Sequence, residues 1–168
     1  MDVYLMRHGP ALARESTDAP ADDQRPLTQK GIKKTRRAAK GLTALRPGID
    51  RLFSSPLLRA RQTADIAAEA LRFKGQVEEL TELAPDGDLE KLVGSLTSYK
   101  DCQGILLVGH QPNLGETASL LLTGNTALEI DFKKSAVCCI KVNTFPARGH
   151  GSLGWMLAPK QLRKLAKG

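Results

Sequence analysis

The sequence has few aromatic residues and no long hydrophobic run. Phenylalanine, tryptophan and tyrosine together make up 4% of its 168 residues, which argues against a protein that stacks nucleic-acid bases on aromatic side chains. No apolar run approaches the ~18 residues of a membrane-spanning helix. The apolar run near the N-terminus is too short for a secretory signal. We therefore expect a cytoplasmic protein whose partners include neither nucleic acid nor a membrane.

The few cysteine and histidine residues are not arranged as a disulfide framework or a metal site would require. Two of its three cysteines, Cys138 and Cys139, are adjacent in an apolar segment, as is typical of buried strand residues. The three histidines, His8, His110 and His150, are far apart, and no Cys-x-x-Cys pair is present. The sequence therefore predicts a reduced protein that needs no metal and no other cofactor.

Length, hydrophobic content and charge define the class of protein. A chain of 168 residues with 41% hydrophobic residues can bury a core as one domain, so we expect residues 1–168 to form a single domain. The net charge of +7 favours anionic partners, which are phosphorylated molecules, acidic protein surfaces or nucleic acid, although it also serves solubility alone. No long apolar surface stripe demands a second subunit, which favours a monomer.

Apolar runs alternate with helical patterns along the chain. Strands are predicted at 3–6, 51–53, 77–80, 105–108, 136–142 and 153–157. The run at 105–108 is apolar on both faces, which is typical of a central parallel strand. The last two strands are joined by a short turn and must be antiparallel. We therefore predict an α/β protein of three layers, α/β/α, with a mostly parallel sheet and a C-terminal antiparallel hairpin.

The first predicted helix has a strongly basic face. Thr28 is its predicted N-cap. Four cations then fall together at helical spacing: Lys30, Lys33, Lys34 and Arg37. A solvated surface is the simplest interpretation, and a docking patch for an acidic partner is the alternative.

The second predicted helix begins close to the end of a strand. Ser55 is its predicted N-cap and Pro56 its first residue, which places Arg59 in the first turn. A helix N-terminus favours anions, and this one follows a strand end. We expect Arg59 to point into the same crevice as the residues that follow the first strand.

Two histidines follow two apolar strands. Arg7 and His8 end the first strand, and His110 follows the strand at 105–108. Ligands bind at the carboxyl ends of strands in open α/β sheets. Arginine suits phosphate oxygens, and a histidine that nearby arginines keep neutral can act as a nucleophile. The sequence predicts a phosphate pocket in which His8 attacks phosphorus while Arg7, Arg59 and His110 hold the oxygens.

These residues resemble a known family. Arg7-His8-Gly9, the run Ser-Pro-Leu-Leu-Arg-Ala-Arg-Gln-Thr-Ala at 55–64, and Gly109-His110 resemble, in order, the motifs of the histidine phosphatase superfamily, or phosphoglycerate mutase-like family. The resemblance implies that His8 is the phosphorylated nucleophile. The resemblance also implies that Arg7, Arg59 and His110 form the phosphate pocket. It further suggests Arg25 and Gly9 as substrate-binding residues.

The subgroup is suggested by the short length and by two local patterns. The run at 25–28 and the turn at 109–112 are most similar to the SixA-type phosphohistidine phosphatases, which lack the insertions that roof the pocket in sugar-phosphate enzymes. Glu82 and Asp86 lie where larger members place a general acid, but the local pattern matches poorly. Imidazole is a better leaving group than an alkoxide, so a missing acid is tolerable for cleavage of a P–N bond. We therefore expect a phosphatase that acts on a phosphohistidine-containing protein of signalling or phosphate transfer, with phosphate as product.

Three alternatives are open at this point. A small-molecule phosphomonoesterase would use the same His8 and would need Glu82, Asp86 or a residue of the segment 18–23 as its acid. A non-catalytic phosphate-recognition module would keep the pocket, although binding alone needs no nucleophile. A nucleic-acid-binding protein would rest on net charge only.

Overall fold

The computed structural model describes residues 1–16 and 20–167, which form helices on both faces of one six-stranded sheet. The strands are β1 (Asp2–Arg7), β2 (Arg51–Ser54), β3 (Val77–Glu79), β4 (Gly104–Gly109), β5 (Val137–Val142) and β6 (Gly151–Leu157). The α-helices are α1 (Gln29–Thr43), α2 (Leu58–Leu71), α3 (Leu89–Ser95), α4 (Asn113–Thr123) and α5 (Pro159–Leu165). Short 3₁₀ turns lie at Asp22–Gln24, Thr81–Leu83 and Leu96–Tyr99. No helix in the described ranges is both long and apolar enough to span a membrane.

The sheet has the order β3-β2-β4-β1-β5-β6. The first four strands in this order are parallel, whereas β5 is antiparallel to β1 and β6 is antiparallel to β5. This confirms the predicted three-layer α/β fold, including its antiparallel C-terminal hairpin. In the parallel pair of β1 and β4, Arg7 lies opposite Gly109, so these two strands end side by side.

The sheet separates two apolar layers. Alternate residues of β4 point to opposite faces, so Ile105 and Leu107 pack with α3 and α4, while Leu106 and Val108 pack with α1, α2 and α5. Every residue of β4 is buried, as expected of a central strand.

The predicted start of α2 is wrong. The helix begins at Leu58 with Leu57 at its N-cap, not with Ser55 and Pro56. The Ser55 amide donates to the Val108 carbonyl at 2.9 Å, which continues the β2–β4 ladder past the strand end. The chain is therefore still extended at Ser55 and turns into the helix two residues later.

The start of α1 is as predicted. The Thr28 hydroxyl accepts a hydrogen bond from the Gly31 amide at 2.9 Å. A Cβ at Gly31 would lie 1.9 Å from the Pro10 carbonyl oxygen, so only glycine lets the first turn of α1 pack this closely on the loop after β1. Asp88 likewise caps α3, accepting a hydrogen bond from the Lys91 amide at 3.0 Å.

Candidate active site

The two histidines meet because their strands are neighbours in the sheet. The His8 amide donates to the Gly109 carbonyl at 3.0 Å, which extends the β1–β4 pairing by one residue. The rings of His8 and His110 then lie 5.0 Å apart between centroids. Only 7% of His8 and 2% of His110 is exposed, so both rings face the interior of a crevice and not bulk solvent.

The first turn of α2 completes this crevice. Arg59 is 3% exposed and lines the same cavity as the two histidines. The hydroxyl of Thr63, one turn further, accepts a hydrogen bond from the Gly9 amide at 2.9 Å and donates to the Arg59 carbonyl at 2.7 Å. These bonds fix the helix to the loop that carries His8.

The hydrogen bond of His8 defines which ring nitrogen is free. Nδ1 lies 2.7 Å from the Gly9 carbonyl oxygen, and a carbonyl only accepts, so Nδ1 carries the proton and Nε2 carries the lone pair. Burial lowers the pKa of His8 to about 3, and the charges of Arg59 and Arg7 act in the same direction against the opposing bond to Gly9. The ring is therefore neutral at physiological pH with Nε2 available as a nucleophile.

His110 is neutral for the same main reason. Burial lowers its pKa to about 3, followed by the effects of His8 and Arg59. Its Nε2 lies 2.9 Å from the Ser55 hydroxyl, so the residue predicted as a helix cap instead orients this ring.

Arg59, which is buried, and Arg7, which is half-buried, retain unused donors. Arg7 donates from Nη1 to the Phe132 carbonyl, and the Asp131 carboxylate lies 4.0 Å from the same nitrogen. In the described part of the chain, the Nε atoms of Arg7 and Arg59 are buried without a hydrogen-bond partner. Burying an unsatisfied donor is costly, and a bound oxyanion would satisfy both.

The cavity around these residues is small and cationic. It has a volume of about 240 Å³. Its side chains with nitrogen groups are Arg7, His8, Arg14, Arg25, Arg59, His110, Gln111 and Lys134. None of the described residues that line it is an aspartate or a glutamate. A larger groove of about 610 Å³ lies between α1 and α2 and is lined by arginine, lysine and glutamate side chains, but no histidine lines it.

Asp22 organises the arginines at the edge of this cavity, a role that the sequence did not single out. Its Oδ2 accepts from Arg59 Nη2 at 3.1 Å and its carbonyl accepts from Arg59 Nη1 at 2.6 Å. Its Oδ1 accepts from Arg25 Nη2 and from Arg14 Nε, each at 2.7 Å. Hydrogen bonds from Arg14 and Arg25 and the charge of Arg59 lower the pKa of Asp22 against the effect of burial. A carboxyl group held ionised in this way is a poor proton donor at neutral pH.

Of the two predicted substrate-binding residues, Arg25 lines the cavity and Gly9 does not. Gly9 has its amide engaged by Thr63, and a Cβ there would lie 2.1 Å from the Thr35 hydroxyl oxygen, so its place in the fold demands a glycine.

The two candidate acids do not line the cavity. Glu82 lies on a 3₁₀ turn, where its carboxylate accepts from the Thr81 hydroxyl at 3.3 Å, and Asp86 is exposed. Pro85 is the residue of this segment that reaches the cavity. Asp18, the first residue of the alternative segment 18–23, lies outside the described residues.

The sequence matches a known family of enzymes whose chemistry fits this cavity. Residues 3–93 match the family model of the histidine phosphatase superfamily (branch 1), and the chain belongs to that family. It is therefore a phosphatase, a hydrolase of phosphorylated substrates, as the motifs predicted.

Full-length relatives narrow the class. The chain is 33% identical over 173 residues to the phosphohistidine phosphatase SixA of Escherichia coli (strain K12), with 99% of each chain covered. It superposes on a solved structure of the protein histidine phosphatase SixA complexed with tungstate, with a TM-score of 0.84 at 30% identity, covering 96% of this chain and 99% of that one. A putative phosphohistidine phosphatase SixA from Agrobacterium tumefaciens, at 24% identity with 94% of this chain and 97% of that one covered, shares the fold with a TM-score of 0.76. The resemblance to the SixA-type enzymes is thus confirmed.

Proposed function

We propose that this phosphatase removes phosphate from a histidine-phosphorylated protein, with His8 as the nucleophile that carries the phosphoryl group between two steps. The observation that carries the proposal is the combination of a neutral His8 with a small, cationic cavity that no described carboxylate lines. The similarity to SixA phosphohistidine phosphatases over the whole chain supports the same substrate class.

In the first step, the lone pair of His8 Nε2 forms a bond to phosphorus. The bond from phosphorus to the substrate imidazole breaks, and its electron pair returns to that imidazole. A substrate ring protonated on its second nitrogen then leaves as neutral imidazole. The Gly9 carbonyl holds the Nδ1 proton of His8, which stabilises the positive charge that the ring gains when Nε2 is phosphorylated.

In the second step, water forms the new bond to phosphorus and the bond to Nε2 breaks. Its electron pair restores neutral His8, and inorganic phosphate leaves. Arg7, Arg59 and His110 hold the oxygens of the transferred group through both steps, and the unpartnered Nε atoms of the two arginines are among the donors available for this.

The absence of a carboxylate from the described cavity lining bears on the leaving group. An alkoxide needs a proton in the transition state, and neither Glu82 nor Asp86 lines the cavity to supply it. An imidazole departs without that help. The geometry therefore favours phosphohistidine over an alkyl phosphate ester such as a sugar phosphate.

The test compares three substrates: a histidine-phosphorylated carrier protein, an aryl phosphate and a sugar phosphate. We expect phosphate release from the phosphoprotein to be fastest and to be abolished in His8→Ala. The matched control is His150→Ala, because His150 is an exposed turn residue outside the cavity. Trapping the enzyme during turnover should yield phosphate on His8, which acid-labile labelling and peptide mass spectrometry would locate.

Two results would replace this proposal. Faster turnover of a sugar phosphate would favour a phosphomonoesterase with an acid outside the described cavity lining. Binding of inorganic phosphate or tungstate without turnover of any of the three substrates would favour a recognition module.

A further inference from the structure

Helix α1 concentrates positive charge on one exposed face. The helix carries six cations and no carboxylate, in a chain whose net charge is +7. Four of them form what we call the α1 basic face, and all four are exposed: Lys30, Lys33, Lys34 and Arg37. No carboxylate in residues 1–16 or 20–167 lies within 4.0 Å of any of the four cationic groups.

This charge pattern is unfavourable for the helix itself. Lys30 and Lys34 are four residues apart, as are Lys33 and Arg37, and like charges at this spacing repel. The first turn of α1 contains no acidic residue and includes Lys30, although the helix dipole favours negative charge there. Folding alone would favour mixed charges on this face, so its uniform sign points to a binding role.

The charges that could offset this face lie elsewhere. Asp65 and Glu69 of α2 line a groove with Arg36 and Ile32, on the side of α1 that faces α2. Asp65 accepts from Arg61 at 3.2 Å, within its own helix. The α1 basic face is therefore left to solvent or to a partner.

The beginning of α1 is fixed rigidly to the active-site loop. The Thr28 amide donates to the Pro10 carbonyl at 3.0 Å, two residues after His8. Two turns further, the Thr35 hydroxyl lies 3.0 Å from the hydroxyl of Ser135, and the Ser135 backbone amide donates to the Arg7 and His8 carbonyls. A molecule bound along the first turns of α1 would therefore sit at a fixed position relative to the phosphate cavity.

The edge of the cavity has the same sign of charge. Arg14 and Lys134 are exposed cations among its lining residues. Positive charge therefore lies both on the α1 basic face and at the edge of the cavity, and its complement is a negative surface that surrounds a phosphorylated side chain.

We propose that the α1 basic face docks an acidic surface of the protein whose phosphohistidine enters the cavity. This rests on the proposed function, since it assigns that function a partner surface. A protein is favoured over a nucleic acid because α1 contains no aromatic residue on which bases could stack. Charge complementarity of this kind accelerates the encounter of two proteins and sets their orientation. We therefore expect loss of the α1 basic face to raise KM for the protein substrate.

The test is the double variant Lys33→Gln/Arg37→Gln. We expect KM for an acidic histidine-phosphorylated carrier protein to rise about tenfold at low salt. Turnover of a small aryl phosphate should be unchanged, because neither residue lines the cavity. The difference in KM between variant and wild type should shrink at 0.5 M salt, because salt shortens the range of charge interactions.

The matched control is Lys91→Gln/Lys100→Gln, which removes the same charge from the opposite layer of the sheet, beside and within α3. An equal rise of KM in both double variants would show a general field effect and overturn the docking face. An unchanged KM in Lys33→Gln/Arg37→Gln would overturn it as well.

Direct binding separates this proposal from the proposed function. Titration calorimetry with the unphosphorylated acidic carrier should show weaker binding to Lys33→Gln/Arg37→Gln than to wild type. That result supports docking even if the phosphoprotein is not turned over. Duplex DNA and vesicles with anionic lipid are the other probes. The proposal would be overturned if Lys33→Gln/Arg37→Gln weakened binding to either of them and left binding to the carrier unchanged.

Discussion

At the scale of single residues, Asp22 decides which donors of Arg59 are free. Its carbonyl takes one hydrogen of Nη1 and its carboxylate takes one of Nη2. Three hydrogens remain, one on Nε and one on each Nη, and those of Nε and Nη2 together form one side of the guanidinium fork. Arginine binds phosphate best through two parallel donors, so Asp22 leaves Arg59 with a usable pair.

We expect Asp22→Asn to lower kcat by about 10- to 100-fold, because a misaligned guanidinium no longer matches the transition state. The affinity for inorganic phosphate should be retained, because removal of the carboxylate leaves the cavity more positive. Steady-state kinetics with an aryl phosphate would give kcat, and titration calorimetry would give the affinity.

Asp23→Asn is the control for this experiment, since Asp23 is exposed and its only described side-chain bond is from Gln24. Equal rates for the two variants would show that Asp22 does not position Arg59. A loss of phosphate affinity in step with kcat would point to collapse of the loop instead.

At the scale of secondary-structure elements, α1 shows a conflict between stability and charge. Lys33 and Arg37 repel each other and their neighbours on the α1 basic face. Each like-charge pair at helical spacing costs about 0.2–0.5 kcal/mol. Glutamine has a helix propensity close to those of lysine and arginine, so replacement removes charge with little other change.

Lys33→Gln/Arg37→Gln should therefore be more stable than wild type by about 0.5–1 kcal/mol. Urea denaturation at low salt would measure the gain, which should shrink as salt screens the repulsion. A variant less stable than wild type would show that the aliphatic stems of these side chains contribute packing that outweighs the repulsion.

The elements themselves could largely be predicted from local sequence. Apolar runs and helical spacing gave the strands and helices in order, because both signals depend on near neighbours. The start of α2 was predicted two residues too early, because the bond that keeps Ser55 extended comes from Val108, far along the chain. Local capping preferences carry no information on such a partner.

At the scale of the whole molecule, the parts of the site that follow from local sequence patterns could be predicted, and the parts that depend on contacts between distant residues could not. Convergence of His8 and His110 followed from the rule that ligands bind at strand ends, and the position of β4 beside β1 fulfils it. Asp22 is separated by 37 residues from Arg59, in a long loop without a periodic pattern. Its role depends on how that loop folds over α2, which no local pattern encodes.

The two buried histidines also couple the site to the stability of the whole fold. Burial is the first cause that lowers each pKa to about 3, from 6.5. In the unfolded chain both histidines take up protons as the pH falls below 6.5, whereas the folded chain keeps them neutral. The unfolded state then binds more protons, so the free energy of unfolding must decrease as the pH falls from 6.5 towards 3.

Between pH 7.5 and 5.5, this linkage should remove about 1.4 kcal/mol of stability for each of the two histidines. Carboxylates contribute little in this window, because their unfolded pKa values lie near 4. Urea denaturation in a phosphate-free buffer is the measurement, since bound phosphate would itself stabilise the fold. In His8→Gln/His110→Gln the loss over the same window should be smaller by about 2.7 kcal/mol, whatever the stability of the variant at pH 7.5. An equal loss in wild type and variant would mean that both rings take up protons in the folded protein as readily as in the unfolded chain, which would contradict the lowered pKa values of His8 and His110.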